Sequence, residues 1–267
     1  MTDSETPILL TRNGPVVRLT LNRPARRNAM NGAMMAALDA ALDALEADRG
    51  ARVVVFSGAG GHFCAGLDLA EVGSQDSVEA RIKAGLERNR LTGIRFQRLS
   101  ALPQLVIAAV QGSAHAGGLG WLCAADIGFA SADARFAAPE VRRGLVPAQI
   151  LPWLVRRMGR SAATRMVLEA RVMDAQEAAR AGLVHDVAAD AAALATLVDA
   201  TIANVLQGAP MALAETKKLI AALGPVSPEG YAEAGAQAFA RGAAGPEAAE
   251  GIAAFKDKRP PHWSTSS

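Results

Sequence analysis

QGSAHAGGLGWLCAADIGFASADARFAAPE, residues 111–140, follows directly on the apolar run LVIAAV at 105–110. That run is short, rich in β-branched residues and bounded by turn formers, which predicts a buried strand. Gly112, Gly117, Gly118 and Gly120 then crowd together, and an apolar, helix-compatible pattern resumes at 121–125. A strand that runs through a Gly-rich turn into a helix leaves backbone N–H groups free in the helix's first turn. With the positive end of the helix dipole they favour an anion, either a phosphate or an oxyanion that exists only during a reaction. GLG is not GxGxxG and no GxxxxGK[ST] occurs, so neither nucleotide fingerprint is met. Close packing and positive φ would call for the same glycines.

Upstream, apolar runs at 8–10 and 16–21 flank Asn13-Gly14-Pro15, a hairpin signal. A helix is predicted over 31–48, with Met34, Met35, Leu38, Leu42 and Leu45 at helical spacing and Gly50 to end it. Residues 53–56 read as a buried strand. Gly58, Gly60 and Gly61 then lead into HFCAGLDL at 62–69, followed by a polar, helix-compatible stretch at 77–99. Downstream come a strand at 127–130 and helices at 147–158 and 161–169. Asp174 and Glu177 fit a capping box for a helix ending at Gly182, and a strand follows at 183–187. Helical patterns continue at 190–206, 210–223, 227–241 and 245–257. Strands and helices thus alternate to residue 187 and give way to helices alone. This implies an α/β core of β–β–α units over 1–187, with parallel pairing and right-handed crossovers, and a helical region over 188–267.

The chain has 267 residues, 51% of them hydrophobic and 20% charged, which is ample for a large core. A net charge of +2 and only 4% aromatic residues give no support to nucleic-acid or membrane partners. MTDSETP is not a secretory leader and no apolar run reaches membrane-span length, so a cytoplasmic, reducing setting is expected. Cys64 and Cys123 sit in apolar context without metal-ligand spacing and read as small buried hydrophobes; no metal is expected.

Two Gly-containing turns, AGLD at 65–68 and AGGLG at 116–120, carry the chemistry. The N–H groups of Leu67 and Gly117 are candidates for a converging pair, an oxyanion hole for the oxygen that turns negative as a thioester becomes an enolate. Losing one such donor typically costs about 3 kcal/mol of barrier. Backbone donors need only space, which accounts for small residues at Ala65, Gly66, Ala116, Gly117 and Gly118. On residues alone, Glu140 is also a helix-start acid, Asp68 a helix cap, His115 a packed imidazole and Asp126 a structural carboxylate.

LNRPARRNAM (21–30), GGHFCAGLDL (60–69), the Gly-rich segment and PE (139–140) resemble, in this order, the motifs of the enoyl-CoA hydratase/isomerase (crotonase) family. The resemblance runs from about residue 8 to FKDKRPP at 255–261. It implies a crotonase-type superhelix of ββα units with a C-terminal α-helical trimerisation region, the trimers often pairing into hexamers. It also implies an acyl-CoA substrate, with coenzyme A part of that substrate and no separate cofactor. The family's oxyanion donors map onto Leu67 and Gly117. Ala65, Gly66, Asp68, Leu69, Gly118 and His115 would surround the acyl thioester. Arg23 would flank the nucleotide, with Phe255, Lys258 and Arg259 near the coenzyme.

Family hydratases use two glutamates. Glu140 matches the second, but the first falls on Gly120, which has no side chain. A lone glutamate still moves a proton between carbons, as family isomerases do. A hydratase would need another group to orient water, with Asp68, His115 and His62 as candidates. GLVPAQILPWLVRRMG (144–159) is similar to isohexenylglutaconyl-CoA-type hydratases, which act on branched glutaconyl esters and share the glycine. There Leu145, Ile150, Leu151, Trp153 and Leu154 would wall a greasy acyl chain. Three readings stand: an enoyl-CoA hydratase with Glu140 as general acid/base, a Δ3,Δ2-enoyl-CoA isomerase using Glu140 alone, or a CoA-binding or interaction protein without catalysis.

Overall fold

The structure, a computed structural model, describes residues 6–71, 77–208, 210–222 and 231–259. Strands β1 (Ile8–Asn13) and β2 (Val16–Leu21) form the expected antiparallel hairpin, turning through Gly14 at φ +55. Helix α1 (Gly32–Ala47) starts at Asn31, whose side chain accepts the Met34 N–H, and it buries Met34, Leu38, Ala41, Leu42 and Leu45. It stops short of Gly50. Asp48 ends it instead, its carboxylate accepting the N–H groups of Gly50 and Ala51 at 2.8 and 3.0 Å.

Next come β3 (Val53–Gly58), α2 (Val78–Ala101), β4 (Leu105–Val110), β5 (Ser113–His115), α3 (Gly117–Ala124), β6 (Ile127–Ser131) and β7 (Arg135–Ala137). The rest are α4 (Leu151–Glu169), β8 (Val172–Asp174), α5 (Ala175–Arg180), β9 (Asp186–Ala188), α6 (Ala191–Val205), α7 (Pro210–Ala222), α8 (Tyr231–Ala243) and α9 (Pro246–Lys256). The main sheet runs β1-β2-β3-β4-β6-β9 and is parallel from β2 onward. Its inner strands are apolar on both faces because both are covered. Val54 and Phe56 face the larger core with α1; Val53, Val55, Ile107 and Phe129 face Leu194, Val198 and Ile202 of α6. The change to helices at 187 therefore does not coincide with a gap in packing.

A second sheet, β5-β7-β8, is absent from the sequence reading. Its strands are three residues long, too short to show a period. The helices predicted at 147–158 and 161–169 are one element, α4, which starts only at Leu151 and breaks at Gly159 with φ +76. The strand placed at 183–187 is β9, further along, while Leu183 and Val184 are buried in its approach. The capping box forms as expected, and α5 ends at Arg180 ahead of Gly182 at φ +76. The start of the predicted 227–241 helix and residues 260–261 of the tail lie outside the described residues. No helix among the described residues is long and apolar enough to cross a membrane. Cys64 and Cys123 are buried, and burial pushes both thiols up to about 12, so neither is a nucleophile at neutral pH.

Asp126 is structural. Its carboxylate accepts the Val106 N–H at 2.7 Å and pairs with Lys217 Nζ at 2.7 Å, which also donates to the Gln104 carbonyl. This largely buried pair pins α7 to the starts of the inner strands β4 and β6, and removing one partner strands the other. Lys217→Met is expected to lower unfolding free energy by about 3 kcal/mol in urea titrations. A change below about 0.5 kcal/mol would mean that Asp126 is satisfied without it.

Candidate active site

Three short segments meet beside the second sheet. Cys64 N–H donates to the Ser113 carbonyl and His115 N–H to the Cys64 carbonyl, each at 2.9 Å, which lays the 62–68 turn along β5. On its other side β5 pairs in parallel with β7, His115 opposite Ala137, and Ala116 N–H donates to the Ala137 carbonyl at 2.9 Å. Ala138, Pro139 and Glu140 follow immediately, so the register itself carries Glu140 to the turn that opens α3.

That turn is strained. Ala116 has φ +50 and ψ −120, a conformation that L residues rarely adopt. It swings the chain from β5 into α3 and leaves Gly117 as the first helical residue, whose N–H has no partner within the helix. On the other turn, Met30 N–H donates to the Gly66 carbonyl at 2.7 Å and Asp68 N–H to the Met30 carbonyl at 2.9 Å. This pattern passes over Leu67. Among the described residues, neither the Leu67 nor the Gly117 N–H finds an acceptor. The two turns touch: a β-carbon added at Gly66, which sits at φ +92, would stand 2.8 Å from the Ala116 β-carbon and 3.6 Å from the Gly117 nitrogen. One added at Gly118 would stand 2.5 Å from the Cys64 carbonyl oxygen.

Met30, not singled out by the sequence reading, joins the two turns. Its backbone holds residues 66–68, its methyl group fills the space beside Gly117, and its sulfur accepts the Trp121 indole N–H at 3.0 Å.

Both free N–H groups belong to residues lining one cavity of about 440 Å³. Of the predicted site residues, Ala65, Leu67, Asp68, Leu69, Gly117, Glu140 and Phe255 line it. Gly66, Gly118 and His115 do not; they stand behind it. Arg23 is also outside the lining. Its buried guanidinium donates to the Ala29 carbonyl and to Asp68 at 3.1 Å, and Arg26 lines the cavity instead. Lys258 is likewise replaced in the lining by Lys256.

Glu140 opens a 3-10 turn that ends at Gly144 in the left-handed region. The side chain is buried, and among the described residues Oε2 has no hydrogen-bond partner. Burial pushes its pKa from 4.5 up to about 7, partly opposed by a hydrogen bond from its own backbone and by the Arg143 charge. A carboxyl poised near neutrality can both take and return a proton.

The other candidate bases are either bonded or outside the cavity lining. Asp68 is bound to Arg23 and accepts the Ala70 N–H at 3.2 Å. His62 Nδ1 accepts the Ser113 N–H at 3.2 Å. His115 Nε2 is buried without a partner among the described residues, but the residue stands outside the cavity lining, and burial, with Arg143, Arg27 and His62 nearby, lowers its pKa.

The place opposite Gly120 is filled. A β-carbon there would fall on the Phe96 ring, 2.8 Å from Cε1 and closer to two other ring carbons. Phe96 packs edge-on against Trp121 and Trp153, with centroids 4.6 and 6.3 Å away. Sequence reading also passed over Asn89 and Thr92 of α2, which line the cavity; Asn89 Oδ1 is buried without a partner among the described residues. Their signal was a pair of polar residues at i+4 and i+7 from Gly85, on the same helix face as the buried Gly85, Gly93, Phe96 and Leu99.

The sequence profile of the enoyl-CoA hydratase/isomerase family matches residues 11–266. The 2,3-dehydroadipyl-CoA hydratase of Escherichia coli is 34% identical over 257 residues, covering 96% of this chain and 98% of that one. Among solved structures, an enoyl-CoA hydratase/isomerase from Marinobacter aquaeolei is 38% identical with TM-score 0.78, covering 97% and 99% of the two chains. An enoyl-CoA hydratase from Mycobacterium avium is 33% identical with TM-score 0.86, covering 97% and 100%.

Proposed function

Because this chain belongs to the enoyl-CoA hydratase/isomerase family, we propose that it hydrates a 2-enoyl-CoA thioester, with Glu140 as its single general acid/base. The observation that carries the reading is a buried Glu140, its Oε2 without a partner among the described residues, in the same cavity as two free backbone N–H donors. The thioester oxygen lies between the N–H groups of Leu67 and Gly117. Ionised Glu140 takes a proton from water as the water oxygen bonds to C3. The C2–C3 π pair moves toward the carbonyl, whose oxygen becomes negative against the two donors. The enolate then collapses, and C2 takes the proton from Glu140, which ends ionised as it began. Asn89, with its free acceptor oxygen in the cavity wall, is better placed than either histidine to hold that water.

The runner-up is an isomerase. The filled space at Gly120 favours it, because the Phe96 ring leaves no room there for a second glutamate, and Asp68 in the cavity wall is tied to Arg23. The poised Glu140 weighs against a chain that binds CoA without catalysis. A trimer, or a pair of trimers, belongs to the same proposal, supported by the exposed Met211, Leu219 and Ile220 on α7. Light scattering that returned a monomer would remove that part.

The test is loss of enoyl absorbance with crotonyl-CoA and formation of 3-hydroxybutyryl-CoA. Since the ionised carboxyl is the active form, kcat/KM should rise with pH through about 7 and then level. No hydration, with conversion of a 3-enoyl-CoA to its 2-enoyl isomer, would move the assignment to isomerase.

A further inference from the structure

Arg142 and Arg143 are adjacent in sequence and have different surroundings. Arg142 is exposed and donates to the Glu169 carbonyl at 3.1 Å. Arg143 is half-buried and lines the same cavity as Glu140. Among the described residues its guanidinium donates no hydrogen bond and pairs with no carboxylate; its one close partner is the face of the Phe255 ring, 4.5 Å from centroid to Cζ. A half-buried guanidinium without an acceptor is costly until an anion arrives. Glu140 is on the same turn but is not that anion: among the described residues no ion pair or hydrogen bond joins it to Arg143, and its Oε2 is unbonded.

We propose that Arg143 binds a carboxylate carried by the acyl chain, so that the preferred substrates are 2-enoyl-CoA esters with an acid group at the far end of the acyl chain. This rests on the hydratase reading above and adds the substrate class. The anion could instead be a phosphate of coenzyme A. Two observations favour the acyl carboxylate. Arg143 lies close enough to Glu140 for each to shift the other's pKa, and Glu140 works at the thioester end. The coenzyme's phosphates are held away from that end by the long pantetheine arm, and exposed cations, Arg26 and Lys256, already line the cavity for them. Stacking on the Phe255 face orients the guanidinium and leaves the edge of its planar fork free for a bidentate carboxylate.

The experiment compares kcat/KM for glutaconyl-CoA and 2-pentenoyl-CoA, which differ in the terminal carboxylate, in the parent, Arg143→Gln and Arg143→Lys, all on the high-pH plateau. The parent should prefer the carboxylated ester. Arg143→Gln should lower that preference roughly 10–100-fold, and Arg143→Lys should lose less. Turnover itself reports the hydratase reading separately: hydration of neither ester by the parent would sink that reading, and hydration of either keeps it whatever the ratio. Equal losses on both esters that disappear when acyl-pantetheine thioesters replace the CoA esters would assign Arg143 to a coenzyme phosphate and overturn the proposal. An unchanged ratio in Arg143→Gln would overturn it as well.

Discussion

Glu140→Gln is expected to lower kcat by roughly 10²–10⁴-fold while acyl-CoA binding is kept. The amide has the shape of the carboxyl but cannot carry a proton from water to C2. The pocket around it is apolar and pre-formed, so binding has little reason to change. Stability provides a second readout with a defined sign. The folded pKa, about 7, lies above the ordinary 4.5, so the folded protein retains a proton that the unfolded chain has lost between those values. Stability from this group is full below about 4.5, falls as pH rises to about 7, and is constant beyond. The total is on the order of 3 kcal/mol. Glu140→Gln removes that fall, so the variant should gain on the parent between pH 5 and 8 in urea titrations. Parallel stability profiles would mean that Glu140 ionises normally, and near-parental kcat would end its catalytic assignment.

The second large effect belongs to a residue that touches no substrate. Gly66→Ala should cut kcat by about 10²–10³-fold, the loss typical of a displaced oxyanion donor. Gly66 sits at φ +92, and the new methyl would press on the Ala116 β-carbon and on the His115 carbonyl, 3.1 Å away. The two donor turns must then move apart, and the thioester oxygen can reach only one. Ala116→Gly works in the other direction. It removes the strain of a left-handed alanine and should raise stability by about 1 kcal/mol. Measuring both kcat and unfolding free energy separates the effects. If Gly66→Ala unfolds more easily yet turns over like the parent, the donors are not where the geometry puts them.

The residues that are legible in the sequence are those whose requirement is simple. Backbone donors require space, and AGLD and AGGLG display it. Buried parallel strands require continuous apolar runs, and 53–56 and 105–110 display them. What was missed depends on register and direction. Strands β5, β7 and β8 have three residues each, yet they bring Glu140 to Gly117. Arg23, Arg26 and Arg27 crowd into LNRPARRN, but only the fold sends Arg23 inward to Asp68. The buried Asn28 sets that fold. Its side chain accepts the Arg23 N–H at 2.8 Å and donates to the carbonyls of Ala59 and His62 at 2.9 and 2.6 Å. The Arg142-Arg143 pair looks like an ordinary solvated doublet until one of the two is found in the cavity. The polar character of 77–99 hid Phe96, whose ring decides what Gly120 can become.

The pairing of Phe96 with Gly120 constrains how this protein can change over generations. A second carboxylate at position 120 has no room while the ring is present. Trimming Phe96 to alanine first would hollow out a contact shared with two tryptophans, at a cost of about 4 kcal/mol. Each single step costs stability, one by a clash and the other by a cavity. A lineage with this aromatic cluster is thus held to one carboxylate by packing rather than by chemistry. Engineering toward the two-glutamate form has to begin with both substitutions made together, Phe96→Ala with Gly120→Glu.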